Sequence, residues 1–182
     1  MELEQLSIQD SYLVKEHRVE DSRGSFERIF DDRKMHGVQY NGIRNVNLSR
    51  NLLKGTVRGL HMQTGDASEL KIISCVKGKI LDLYVDCRPK SKTFGLINTV
   101  ILEENEPNLL IVPKGCLHSF LTIDDSSEVI YLTDNYYYPK KEIAVSPFSK
   151  ELSTYWDPYE ILVSSEKDRS ALSLDDYLKS IS

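Results

Sequence analysis

Between Lys54 and Pro139 the chain is a succession of short apolar runs separated by turn residues. In "KILDLYVD" Leu81, Leu83 and Val85 alternate with Asp82, Tyr84 and Asp86, the period-two signature of a strand. "ELKIISCV" precedes it across Lys77–Gly78, which reads as a hairpin-type turn. "TFGLINTVIL" and "LLIVP" flank the turn-rich "EENEPN", and "HSFLTI" and "EVIYLTD" flank "DDSS". Strands at roughly ten-residue spacing, with no long amphipathic helix between them, predict an all-β antiparallel sandwich, barrel or jelly roll. Helix is confined to short peripheral pieces. "DDRKMHGV" suggests a turn or two after the strand "SFERIF", and "SLDDYLKSI" has Ser173 as N-cap with Asp175 and Asp176 in its first turn.

A length of 182 residues suits one domain, read as residues 1–182 with a core over about 10–160 and a C-terminal segment wrapping it. Twenty-eight acidic against 23 basic residues, with no block of like charge, argue against a nucleic-acid partner. The apolar runs are too short to cross a membrane, and "MELEQLSIQD" lacks the apolar stretch of a signal peptide. Cys75, Cys87 and Cys116 have no metal-type spacing and are odd in number, so a reduced, cytoplasmic setting is expected.

The unusual chemistry begins at "TVRGLHMQ". A strand alternates its faces, so Val57, Gly59, His61 and Gln63 share one and Arg58, Leu60 and Met62 the other. A bulge at Gly59 would bring Arg58 and His61 together. His61 can equally be a hydrogen-bonded sheet histidine. Lys71 shares its face with Ile73 and Cys75, apolar company for an ammonium group, which either snorkels to the rim or points into a cavity. His118 ends a Pro-x-Gly-x-x-His stretch that resembles the second cupin motif, in which the histidine binds a metal. The first cupin motif is incomplete here, with one histidine and Glu69 eight residues on, so no metal is assigned. Tyr131 and the cluster Tyr136, Tyr137 and Tyr138 are either packing residues or, for Tyr131, an acid partner to a histidine.

Taken in order, "DSRGSFERIF", "NVNLS", "VRGLHMQ", "ELKIISCVKGKILDLYVDCRPKSKTFG", "LLIVPKGCLHSF", "EVIYLTDNYYYP" and "SSEKD" resemble the dTDP-4-dehydrorhamnose 3,5-epimerase family over about residues 10–170. These are cupin-type jelly rolls acting on nucleotide-linked 4-keto-6-deoxy sugars. The resemblance implies His61 as the base that removes a proton next to the ketone and Asp168 as its carboxylate partner. It implies Lys71, with Arg58, as cations near the keto oxygen, and Tyr131 as the acid on the opposite face. Arg23, Phe26 and Glu27 match the segment that helps hold the nucleotide, partly across a dimer interface. Tyr137 or Tyr136 matches the aromatic that stacks on the base, His118 a histidine near the sugar, and Asn45 a glutamine near the base. Gln63 is counted with the substrate-binding residues. No metal or redox cofactor is implied, and a homodimer with an exchanged N-terminal strand is. Met62, Ser119 and Leu132 depart from the family pattern at the pocket wall. The other readings are a jelly-roll 3,4-ketoisomerase, a metal cupin, and a non-catalytic sugar-nucleotide binder.

Overall fold

The computed structural model describes residues 2–182. Two antiparallel sheets face each other. The six-stranded sheet runs in the order β1 (Glu2–Gln5), β2 (Tyr12–Lys15), β10 (Asn108–Val112), β7 (Lys71–Lys77), β12 (Glu128–Thr133), β5 (Asn45–Arg50). The five-stranded sheet runs β13 (Glu142–Ala144), β6 (Val57–Gln63), β11 (Cys116–Thr122), β8 (Lys79–Asp86), β9 (Ile97–Glu103). β3 (Arg18–Asp21) and β4 (Gly24–Glu27) form a separate two-stranded ribbon. The all-β jelly roll expected from the sequence is the observed architecture.

Ile73, Leu110 and Val129 of the first sheet meet Ile80, Tyr84 and Phe120 of the second in the core between them. Both sheets are also covered outside. Met35, with Ile29, Phe30 and Tyr40, packs on Ile72, Ile111 and Leu132 of the six-stranded sheet. On the five-stranded sheet, Val145, Leu152, Trp156, Leu174 and Tyr177 cover Leu81, Leu83, Val85 and Leu117. In this C-terminal segment lie α1 (Ser153–Trp156), α2 (Glu166–Arg169) and α3 (Leu174–Ile181), and the Ser173 side chain accepts from the Asp176 amide as its sequence predicts.

Two sequence-based expectations change. Lys77–Gly78 is not a hairpin. β7 bonds to β10 and β12 while β8 bonds to β11 and β9, so the chain passes there from one sheet to the other. Strands covered on both faces are apolar on both, and their pattern does not reveal which neighbour they take. "TFGLINTVIL" becomes strand only from Ile97, because Ser91 and Thr93 turn the chain by donating their hydroxyls to Asp86. Within the chain, β1 pairs with β2. The element outside both large sheets is the β3–β4 ribbon.

Candidate active site

Residues of both sheets line a cavity of about 830 Å3. The five-stranded sheet presents His61, Arg58 and His118 to it, and the six-stranded sheet Lys71, Tyr131 and Asn45. Arg58 and His61 share the cavity because β6 bulges. His118 is opposite His61 and Phe120 opposite Arg58, so β6 fits one more residue than β11 over that stretch. Gly59, within the bulge, has φ +111°, and a Cβ there would meet the His118 carbonyl oxygen at 2.5 Å. Glycine is the residue that tolerates both conditions.

Asp168 reaches His61 from far along the chain. Thr56 bridges Val163, and Leu162 and Val163 donate amides to the Gly55 carbonyl, which ties the C-terminal segment to the start of β6. Ser165 then caps α2 by accepting from the Asp168 amide at 3.1 Å. The result is a bond of 2.6 Å between His61 Nε2 and Asp168 Oδ1. Burial pushes the Asp168 carboxyl up, but the His61 ring, the Ser165 hydroxyl and the Gly59 amide outweigh it and hold the carboxyl below 3.8. An ionised carboxylate only accepts, so Nε2 carries the hydrogen, and in the neutral ring Nδ1 carries the lone pair. Nδ1 is the atom able to take a proton. Glu142 Oε1 lies 4.0 Å from it, and Glu142 also accepts from the Tyr137 hydroxyl at 3.2 Å and pairs with Lys167.

Lys71 is buried rather than snorkelling. Its Nζ donates to the His61 carbonyl oxygen at 3.0 Å and lies 3.6 Å from Glu69 Oε1. Burial pushes its pKa down, with Glu69 opposing. Tyr131 lies on the sheet opposite His61, and burial raises its pKa above 10.0, so its phenol stays protonated at neutral pH.

The remaining expected residues divide. His118 lines the cavity with Nε2 held by buried Asp82 at 2.8 Å. Tyr137 lines it, whereas Tyr136 does not. Asn45 and Gln63 line it too, but with side chains already engaged. Asn45 Nδ2 donates to Thr133 Oγ1 and the Asn135 carbonyl. Gln63 donates to Ala67, Glu69 and Tyr136 and accepts from the Tyr138 amide at 2.6 Å, which latches the tyrosine segment to β6. Arg23, Phe26 and Glu27 do not line the cavity of their own chain. Arg23 pairs with Asp21 at 2.6 Å and Glu27 with Arg18 at 3.1 Å, while Phe26 is 68% exposed. Glu142, Lys167 and Asn47 line the cavity without having been singled out from sequence. Lys167 lay inside the quoted "SSEKD", but no pattern marks Glu142.

A His–Asp pair with its carboxylate buried, a desolvated lysine and a facing phenol in one jelly-roll cavity are the groups that an enzyme of proton transfer, in the isomerase class, needs. The model of the dTDP-4-dehydrorhamnose 3,5-epimerase family matches residues 5–176, and the chain belongs to this family. It is 30% identical to the dTDP-4-dehydrorhamnose 3,5-epimerase of Escherichia coli over 94% of both chains. NovW, a 4-keto-6-deoxy sugar epimerase of Streptomyces spheroides, superposes with a TM-score of 0.90 at 28% identity, covering 99% of this chain and 90% of its own. ChmJ, a 3′-monoepimerase of Streptomyces bikiniensis, superposes with a TM-score of 0.86 at 27% identity, covering 94% and 87%.

Proposed function

We propose that the protein inverts C3, C5 or both in a nucleotide-linked 4-keto-6-deoxy sugar. The observation that carries this reading is the 2.6 Å His61–Asp168 bond in the cavity that also holds Lys71 and Tyr131. A proton next to a ketone is removable only as charge moves onto the carbonyl oxygen. His61 Nδ1 takes the proton and the C–H electron pair becomes an enolate. Asp168 holds the tautomer and favours the imidazolium that forms, as in a hydrolase triad. A Lys71 ammonium in the cavity wall would stabilise the enolate oxygen more than the ketone, and that difference lowers the barrier. Tyr131 gives its phenolic proton to the opposite face of the same carbon, and solvent resets both groups. Its raised pKa means that the phenol holds the proton that this role requires at neutral pH. Arg58 is a second cation for the keto oxygen beside Lys71, Lys167 is a cation able to meet the diphosphate, and half-exposed Tyr137 is able to stack on the base.

The working unit in this reading is a homodimer. Arg23, Phe26 and Glu27 are absent from their own cavity, and their ribbon belongs to neither large sheet. Both facts support delivery to a second chain. Three free, buried cysteines support a reduced, cytoplasmic setting.

Deuterium wash-in tests the reaction. The protein is offered dTDP-, GDP- and CDP-linked 4-keto-6-deoxy sugars in D2O, and C3 and C5 are followed by proton NMR with product configuration checked. Exchange with inversion at both carbons names a 3,5-epimerase, and at one carbon a single-site epimerase. His61→Ala is expected to lower exchange by about 100-fold or more. Full activity in that variant rejects the mechanism.

A further inference from the structure

Lys71 has an attachment that the proton-transfer scheme does not use. Glu69, on the loop entering β7, lies in the cavity wall with Oε1 3.6 Å from Lys71 Nζ and Oε2 accepting from Gln63 Nε2 at 2.8 Å. Side-chain exposure is only 10% for Glu69 and 11% for Lys71. The lysine therefore has two partners set by the fold, an ion pair with the Glu69 carboxylate and a hydrogen bond to the His61 carbonyl. Both partners hold the ammonium group within the cavity wall.

We propose that Glu69 is a positioning residue that keeps the Lys71 ammonium charged and aimed across the cavity, and thereby sets the alkaline limit of the reaction. This rests on the epimerase reading, in which Lys71 meets the keto oxygen.

The other charges around Lys71 do not replace Glu69. Asp82 on β8 is committed to His118 at 2.8 Å, and Glu142 on β13 to Lys167 and Tyr137. On β6, Arg58 is a cation and His61 offers its carbonyl, while Tyr131 on β12 is a neutral phenol. Asp134, just after β12, is paired with Lys114 at 2.8 Å. Burial alone drives the lysine toward its neutral amine, and among these groups Glu69 opposes that most strongly. A neutral amine at the keto oxygen has no charge with which to stabilise an enolate.

Glu69→Gln keeps the size of the side chain and a carbonyl oxygen for Gln63 while removing the charge. In the full chain, the alkaline limb of kcat for deuterium exchange is expected to move down by about 1 pH unit or more. The acid limb should stay in place, and KM should change by less than about threefold. Glu69→Ala should move the limb the same way, and Glu69→Asp, which keeps the charge, should return most of it. A direct titration of Lys71 by 13C NMR of 13Cε-lysine-labelled protein, assigned with Lys71→Arg, should move in parallel. It needs no substrate, so it decides the pair even where no sugar is turned over and the epimerase reading itself has failed. A wild-type alkaline limb and an unmoved Lys71 titration in Glu69→Gln, whatever the overall fall in rate, would overturn the proposal. So would an Asp variant that behaves like Gln.

Discussion

His61 is held between two carboxylates of unequal reach. Asp168 bonds Nε2 at 2.6 Å, and Glu142 stands off Nδ1 at 4.0 Å. Asp168→Asn exchanges an acceptor for a group that can donate to Nε2, which moves the ring hydrogen to Nδ1 and blocks the base. A loss in kcat of about 100- to 10,000-fold is expected, with little change in KM. The same variant carries a stability signature. Because the folded carboxyl of Asp168 lies below its unfolded value of 3.8, ionised Asp168 stabilises the native state above the ordinary carboxylate range. That contribution is lost as pH falls through the depressed value. The difference in urea midpoint between wild type and Asp168→Asn should therefore be largest near neutrality and narrow below about pH 4. A difference independent of pH would mean that the Asp168 charge does not contribute. At this scale the sequence was partly legible. His61, Lys71 and Tyr131 stood out as polar groups in apolar strands, but Glu142 sits on a three-residue strand among exposed lysines. Only folding brings it to His61.

Among the elements, β6 does most to build the site, and its bulge was readable from one glycine. Arg58 and His61 fall on opposite faces of a regular strand, and one inserted residue reconciles them. Gly59→Ala tests how far the site depends on this. The added methyl meets a backbone oxygen at 2.5 Å, which no side-chain rotation relieves, and φ of +111° is strained for alanine in any case. A destabilisation of about 1–3 kcal/mol by urea unfolding is expected. Exchange activity should fall further than stability explains, because Arg58 and His61 lose their common face. Wild-type activity in this variant would show that the bulge does not set the site. The β7–β8 junction teaches the opposite lesson. Lys77–Gly78 has hairpin chemistry and Gly78 takes φ +74°, yet the turn joins different sheets. Turn residues specify a local reversal, whereas the hydrogen-bonded neighbour follows from which apolar faces must be buried together.

For the whole molecule, two sets of exposed apolar residues bear on the proposed dimer, one on β5 and one on the β3–β4 ribbon. β5 ends the six-stranded sheet, turning Asn45 and Asn47 to the cavity and leaving Val46 68% and Leu48 44% exposed. Such an edge invites pairing unless it is covered. In the proposed dimer the β3–β4 ribbon is the element that would cover it, with Val19 62% and Phe26 68% exposed. If one chain's ribbon supplies Arg23, Phe26 and Glu27 to the other chain's His61, two inactive variants should repair each other. A His61→Ala chain lacks the base but has an intact ribbon, and an Arg23→Ala/Phe26→Ala chain has the base but a crippled ribbon. Mixed dimers then contain one site built from both intact parts and one site with neither. Equal mixing with free subunit exchange should restore exchange activity to about one quarter of wild type per site, with two-chain mass by sedimentation. Dimers that show no recovery would mean each chain serves its own cavity. A monomer at micromolar concentration would remove the shared site altogether, and with it the role of Arg23, Phe26 and Glu27.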